Sequence, residues 1–213
     1  VMNNNQSGRS MIEMLGVLAI IGVLSVGGIA GYSKAMEKFK LDKAADEYTH
    51  IIFGLLEHLD DIRKLSDDSW AAYGLVDLAT GLNLIPATWS HTDNMLDYEV
   101  NDAYGNLVQL HSRHKRFVVD LFLGGTERTD EGRFSKSFSP KLCVSLFQNL
   151  AIPLHSSVNI VNTWQNGKGG IYYGGDAYCG GNTPCVANMT LQEIKNACEI
   201  CDGKNICCIT LEF

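Results

Sequence analysis

Three groups of side chains in this sequence are of types that do chemistry. The most conspicuous is the cysteines: there are seven, none precedes Cys143, and six crowd between Cys179 and Cys208. Cys198 and Cys201 stand in a CEIC spacing that suits a redox pair or half of a zinc site. Zinc needs a second pair, and the adjacent Cys207 and Cys208 fit one tetrahedron poorly. A thioredoxin-like motif opens a helix after a strand, whereas this one closes a predicted helix. Local crowding of this kind reads as structural disulfides in an oxidising compartment, with the odd cysteine free or paired between chains. The second group is His111 and His114 with Asp120; no third ligand is in view, and surface histidines are expected. The third is the acidic stretch DNMLDYEVND, 93 to 102, which lacks the ligand spacing of an EF-hand loop and is expected to be a solvated acidic loop. No nucleophile elbow, phosphate loop or paired-carboxylate motif is present, so no catalytic residue, metal site or cofactor is expected.

One further carboxylate raises a different question. Glu13 lies near the start of GRSMIEMLGVLAIIGVLSVGGIAGY, 8 to 32, where residues 14 to 31 hold neither charge nor Pro and are just long enough to span hydrocarbon as a helix. A carboxylate inside hydrocarbon is costly unless an opposite charge meets it, so Glu13 calls for a partner.

The elements that must position these groups follow from periodicity. Beyond the apolar run, Leu41, Ala45, Tyr48, Ile52, Leu55, Leu59 and Ile62 recur at alternating steps of four and three, an apolar stripe down one face of a helix. A helix from about Ser10 to about Leu65 would be on the order of 80 Å long, apolar all round in its first half and on one face in its second. A short helix is expected near 70 to 79, in a segment otherwise read as loop to about Ser90. Then YEV, LVQLHS and RFVVDLFL, divided by NDAYGN and RHK, predict an antiparallel meander, with HSRHKR as a solvated turn. GGTERTDEG, 124 to 132, reads as a polar loop. A helix is predicted over 139 to 151, with Ser139 as N-cap and Pro140 at its first position. The Gly- and Asn-rich stretch 162 to 188 shows little periodicity. Thr190 and Glu193 form a capping box for a helix over 190 to 198, and NICCITLEF reads as a closing strand. The fold class is therefore α+β: a long N-terminal helix, membrane half plus amphipathic half, packed on an antiparallel β-sheet head with a disulfide-bonded C-terminal region. The net charge of −7 and pI near 5.3 argue against nucleic acid as a main partner.

Together these features resemble the type IV pilins, and within them the type IVb group. Gly8 followed by RSMIE places Glu13 fifth after a prepilin processing site, behind a polar leader and ahead of an uninterrupted apolar run; Tyr32 falls at the end of the membrane segment. NDAYGN, SPKLC and the AC dipeptide before a strand ending in Phe213 extend the likeness into the head. The resemblance implies a leader at 1–8, a transmembrane and filament-core helix at 9–32, the amphipathic half at 33–66 and a globular head at 67–213. It implies cutting after Gly8 by a prepilin peptidase, methylation of the new amino group of Arg9, and residence in the bacterial inner membrane as a single pass with the head in the periplasm. It further implies handling by the pilus assembly machinery and self-association into a helical filament of a cell-surface pilus, where Glu13 pairs the N-terminus of a neighbouring subunit. The family pattern suggests a Cys143–Cys198 bond; Cys179 with Cys185 and Cys201 with Cys207 would close short loops, leaving Cys208 over. The sequence departs from the pattern in carrying Arg9 where an apolar residue is usual, and Gly27, Gly28 and Gly31 where many relatives have a helix-kinking Pro. Lys34, Lys38, Lys40 and Lys43 also lie on the supposed periplasmic side, against the positive-inside rule. Two alternatives share parts of these features: a pseudopilin of a type II secretion system, and a membrane-anchored periplasmic protein with a cysteine-based role.

Overall fold

A computed structural model describes residues 11–92, 95–129, 132–135 and 138–213, with side chains undescribed at 11, 12, 128, 129 and 132–135. Gly8, Arg9 and the leader lie outside the described residues, as do Asp93 and Asn94. The chain divides into two compact units, Val1–Lys40 and Leu41–Phe213.

Helix α1, Met11–Leu56, crosses the division. In the first unit it is the only described element, and it keeps helical hydrogen bonding through five glycines. In the second unit its apolar stripe is buried: Ala45, Tyr48, Ile52 and Leu55 are each at most 2% exposed, with Ala44 and Ile51 beside them. The predicted continuous helix to Leu65 is corrected at one point. The chain leaves helical geometry at Glu57 and His58, where His58 takes φ −111°, and restarts as α2, Leu59–Leu65. Neither break residue is Gly or Pro, the nearby Gly54 is taken up by close packing of Leu84, and the stripe's spacing runs through the break. What holds α2 is tertiary: Ile62 is buried, and its carbonyl accepts a 2.7 Å hydrogen bond from the Ser112 hydroxyl.

The sheet is antiparallel throughout. Its strands are β1 (Tyr73–Gly74), β2 (Glu99–Asn101), β3 (Leu107–Arg113), β4 (Arg116–Phe122), β7 (Ile160–Gln165), β8 (Gly169–Gly174) and β9 (Cys207–Glu212), in the order β1-β3-β4-β9-β7-β8, with β2 also pairing β3. The predicted meander is β2, β3 and β4. The C-terminal strand β9 then inserts between β4 and β7, with Asp120 opposite Thr210 on one side and Asn162 opposite Thr210 on the other. Alternation sends Val108, Leu110, Val119, Leu121, Ile209, Leu211 and Val161 into one core with Tyr48, Ile51, Ile52 and Leu55 of the amphipathic helix.

Two stretches differ from expectation. The polar loop read over 124 to 132 holds a small hairpin, β5 (Thr126–Thr129) with β6 (Gly132–Ser135). The Gly- and Asn-rich stretch from 162 begins inside the β7–β8 hairpin, where the Asn166–Lys168 turn is accommodated by positive φ at Gly167 and Gly169. Glycine is demanded just beyond this hairpin: a Cβ on Gly175 would run into the Val158 carbonyl oxygen.

The helices α4 (Pro140–Leu146) and α5 (Leu191–Glu199) lie close to their expected places, whereas α3 (Val76–Gly81) takes up only the end of the helix expected near 70 to 79, whose middle holds β1. Ser139 caps α4 by accepting from the Leu142 N–H at 3.3 Å, and α4 runs on into a π-helical turn, Phe147–Ala151. The Thr190–Glu193 capping box is formed in both directions.

Candidate assembly helix and the chemistry of the head

In the first unit, Glu13 lies in the first turn of α1, where the positive end of the helix dipole favours a carboxylate. Every residue from 13 to 40 is exposed. The apolar side chains are bare rather than half-covered: Leu15 is 62%, Val23 74% and Ile29 70% exposed. A Cβ added at Gly16, Gly22, Gly27, Gly28 or Gly31 would meet nothing within 4 Å. Each helical glycine costs about 1 kcal/mol relative to Ala, and no contact among the described residues requires them. Among the described residues, α1 is the one helix long and apolar enough to cross a membrane, with a mean hydropathy of 2.2 over its most apolar window.

In the second unit, the sulfur chemistry is spent on bonds. Cys143 on α4 is joined to Cys198 on α5, Cys179 to Cys185, and Cys201 to Cys207 at the start of β9, with Cα separations of 5.9, 4.9 and 5.7 Å. All three separations are ordinary for disulfides. Cys198 and Cys201 therefore face different partners, and the CEIC spacing forms no redox pair. Cys208 is the free thiol, and it is buried. Burial, then the neighbouring Asp120 carboxylate, push its pKa well above the usual thiol value, so it is inert as a nucleophile near neutral pH.

The histidines and acids are placed differently from what their sequence context suggests. His111 is not a surface histidine: it lies on β3 at 1% exposure, and neither ring nitrogen has a hydrogen-bond partner. Its Nε2 is 3.9 Å from an Asp120 oxygen, beyond hydrogen-bonding reach. Burial lowers its pKa to about 4, assisted by the charge of Arg113. Asp120 is buried too, which raises its pKa, while the Thr210 hydroxyl donates to it. His114 and Lys115 do form the expected turn. They are the two central residues of the β3–β4 hairpin, at φ 51° and 56°, the left-handed pair of a type I′ turn. The His114 ring meets Trp70 edge-on at 4.4 Å.

The stretch 93 to 102 is only in part a solvated acidic loop. Glu99 and Asp102 are buried, at 2% and 5% exposure. Asp102 accepts from the Tyr48 hydroxyl at 2.6 Å, from the Asn106 amide at 2.6 Å, and from the N–H groups of Tyr104 and Asn106, both at 2.8 Å. Glu99 accepts from the Gln109 amide at 2.9 Å. Asp102 thus pins NDAYGN to the amphipathic helix, an arrangement that sequence reasoning missed. The signal for it was present: Asp, Gly and Asn at turn spacing, and a tyrosine in an otherwise aliphatic stripe. Tyrosine needs a hydrogen-bond partner when buried. Among the described residues, no group of three or more His, Cys, Asp or Glu side chains gathers as metal ligands would.

The chemically specialised features are thus an uncovered apolar helix with one early carboxylate, and a disulfide-bonded head whose buried acids serve the fold. No family model, no curated protein and no solved structure matches the chain.

Proposed function

We propose that this chain is a structural subunit of a type IV pilus, of the type IVb kind. In this reading residues 9–32 hold it in the bacterial inner membrane before assembly and pack against neighbouring subunits afterwards. The observation that carries the reading is the uncovered surface of α1 between Glu13 and Lys40. Burying one large aliphatic side chain contributes about 1.5–3 kcal/mol, so the nine bare Leu, Ile and Val side chains from Leu15 to Ile29 amount to on the order of 10–30 kcal/mol favouring lipid or other helices over water. The glycines support the same reading: they meet nothing among the described residues but allow close approach of a second helix.

Glu13 then acts as the registration device. Alone in a core of packed helices, its carboxylate would carry an uncompensated desolvation cost. Beside the amino group of a neighbour's Arg9, most of that cost is recovered. A subunit seated one turn too high or low leaves the charge unpaired and is disfavoured. The disulfides and the polar pin between Asp102 and Tyr48 suit a head that must keep its shape outside the cell. The pairing of Cys198 and Cys201 with different partners weighs against a cysteine-based redox role.

Mass spectrometry of the chain purified from its native membrane tests the processing step. The expected N-terminus is Arg9 bearing one methyl group. An intact leader before Arg9 in cells with an active prepilin peptidase would overturn the reading.

A further inference from the structure

We propose that the sheet face turned away from the amphipathic helix carries a binding site for a neutral saccharide. The site lies within the Leu41–Phe213 unit and does not depend on the filament reading.

The cross-strand register builds it. Gln109 on β3 stands opposite Asp120 on β4, Asp120 opposite Thr210 on β9, Thr210 opposite Asn162 on β7, and Asn162 opposite Tyr172 on β8. Alternation puts all five on the outer face, a row of hydrogen-bonding side chains running across the strands. The next row brings Phe122, Cys208 and Trp164 to the same face. Over them lies a cleft of about 470 Å³ that includes Asp120, Asn162, Thr210, Trp164, Tyr172 and Trp70, within the range of small-molecule sites.

Two observations point to a ligand. Asn162 is only 7% exposed, yet its side-chain oxygen has no hydrogen-bond partner, a costly arrangement for a buried amide. Its terminal torsion is soft, so the amide can turn either edge toward the cleft. The rim is aromatic and uncovered: Trp70 is 79% and Tyr172 50% exposed.

Charge and polarity select the ligand class. Arg116 is engaged by Glu212 at 2.5 Å, and Arg113 lies over the Trp70 ring at 5.5 Å, opposed by the Asp120 carboxyl across the floor. The lining offers no cluster of free cations for a phosphate. A purely apolar ligand would cover Asn162 and leave its side-chain oxygen unsatisfied. A sugar ring presents hydroxyls at its edge to the carboxyl, hydroxyl and amide of the floor, and apolar C–H faces to the indole and phenol rings.

The test uses the full chain in a detergent without a sugar headgroup. It is titrated separately with glucose, galactose, N-acetylglucosamine, N-acetylgalactosamine and lactose, with tryptophan fluorescence as the readout. At least one sugar should give a saturable change by roughly 10 mM, where a 1 mM site is about nine-tenths filled. Tyr172→Ala, at an exposed rim position, should weaken that binding about tenfold with an unchanged thermal midpoint, and Asn162→Ala should weaken it similarly. Should Asn162→Ala fail to fold, Tyr172→Ala decides alone. The proposal is overturned by no saturable response to any of the five sugars, or by binding that Tyr172→Ala leaves intact. Saturation by inorganic phosphate alone, or a Tyr172→Ala effect on self-association with no sugar bound, would also overturn it.

Discussion

Removing the Cys143–Cys198 bond by the double substitution Cys143→Ala with Cys198→Ala should destabilise the head more than losing either other disulfide. The bond spans 55 residues of sequence, whereas Cys179–Cys185 and Cys201–Cys207 each span 6. If cross-links act by restricting the unfolded chain, the long loop is worth about 4 kcal/mol and each short one about 2 kcal/mol. Packing reinforces the order, because Cys143 and Cys198 are 0% and 1% exposed and lie in the same core as the sheet. Alanine is the proper replacement, since a serine would add a buried hydroxyl and confuse the comparison. The assay is urea unfolding, followed by tryptophan fluorescence, of a fragment beginning shortly before Leu41, with the three double variants in parallel. The expected ranking is a loss of about 4 kcal/mol or more for the long bridge against about 2 kcal/mol for each short one. Equal losses for all three, or a larger loss for a short loop, would refute the reasoning that the bridge closing the longest loop, between α4 and α5, stabilises the head most.

Three further outcomes follow from the buried polar groups. Tyr48→Phe removes a hydroxyl 2.6 Å from Asp102, leaving a buried carboxylate short of one donor; a loss of roughly 1.5–3 kcal/mol in the same unfolding assay is expected, and no loss would show the pin to be idle. The unfolded chain protonates His111 near 6.5 and the folded chain only near 4, so its contribution is complete above pH 6.5 and weakens by roughly 3 kcal/mol as pH falls through that window. The raised Asp120 carboxyl, the nearest acid, acts with opposite sign and offsets part of this, with Arg113 and Glu212 as the other charges acting on the ring. His111→Phe should therefore flatten the fall in stability between pH 7 and 4.5, and an unchanged profile would count against it. Cys208 should resist a thiol reagent in the native protein and react once the chain is denatured; native labelling at the rate of an exposed thiol would contradict its placement.

What the sequence made legible was what is local. The stripe from Leu41 to Ile62, the Ser139 cap with Pro140, the Thr190–Glu193 box and the β3–β4 turn each depend on residues within one or two turns of one another, and each was found where spacing put it. The helix break at His58 was hidden because the stripe continues through it and neither Glu57 nor His58 is a helix-breaking Gly or Pro. The β7–β8 hairpin was hidden by its own glycines, which dilute the alternation of Val161 and Thr163 with Asn162 and Trp164. His111 reads as a surface residue because nothing in HSRHKR or RFVVDLFL reveals that the C-terminal strand docks beside β4. That docking, and the cross-strand row it completes with Thr210 and Asn162, is set by contacts far apart in the chain. As for the candidate assembly segment, its helix and early carboxylate were legible, while the open space around its glycines among the described residues needed coordinates.

The most direct measurement is electron microscopy of cells expressing the wild-type chain or Glu13→Ala, labelled with antibody to the head. The account expects surface filaments decorated along their length in the wild type, and few or none in Glu13→Ala although the variant is still processed to an N-terminus at Arg9. Abundant, normally decorated filaments from Glu13→Ala, or none from a processed wild-type chain, would contradict it.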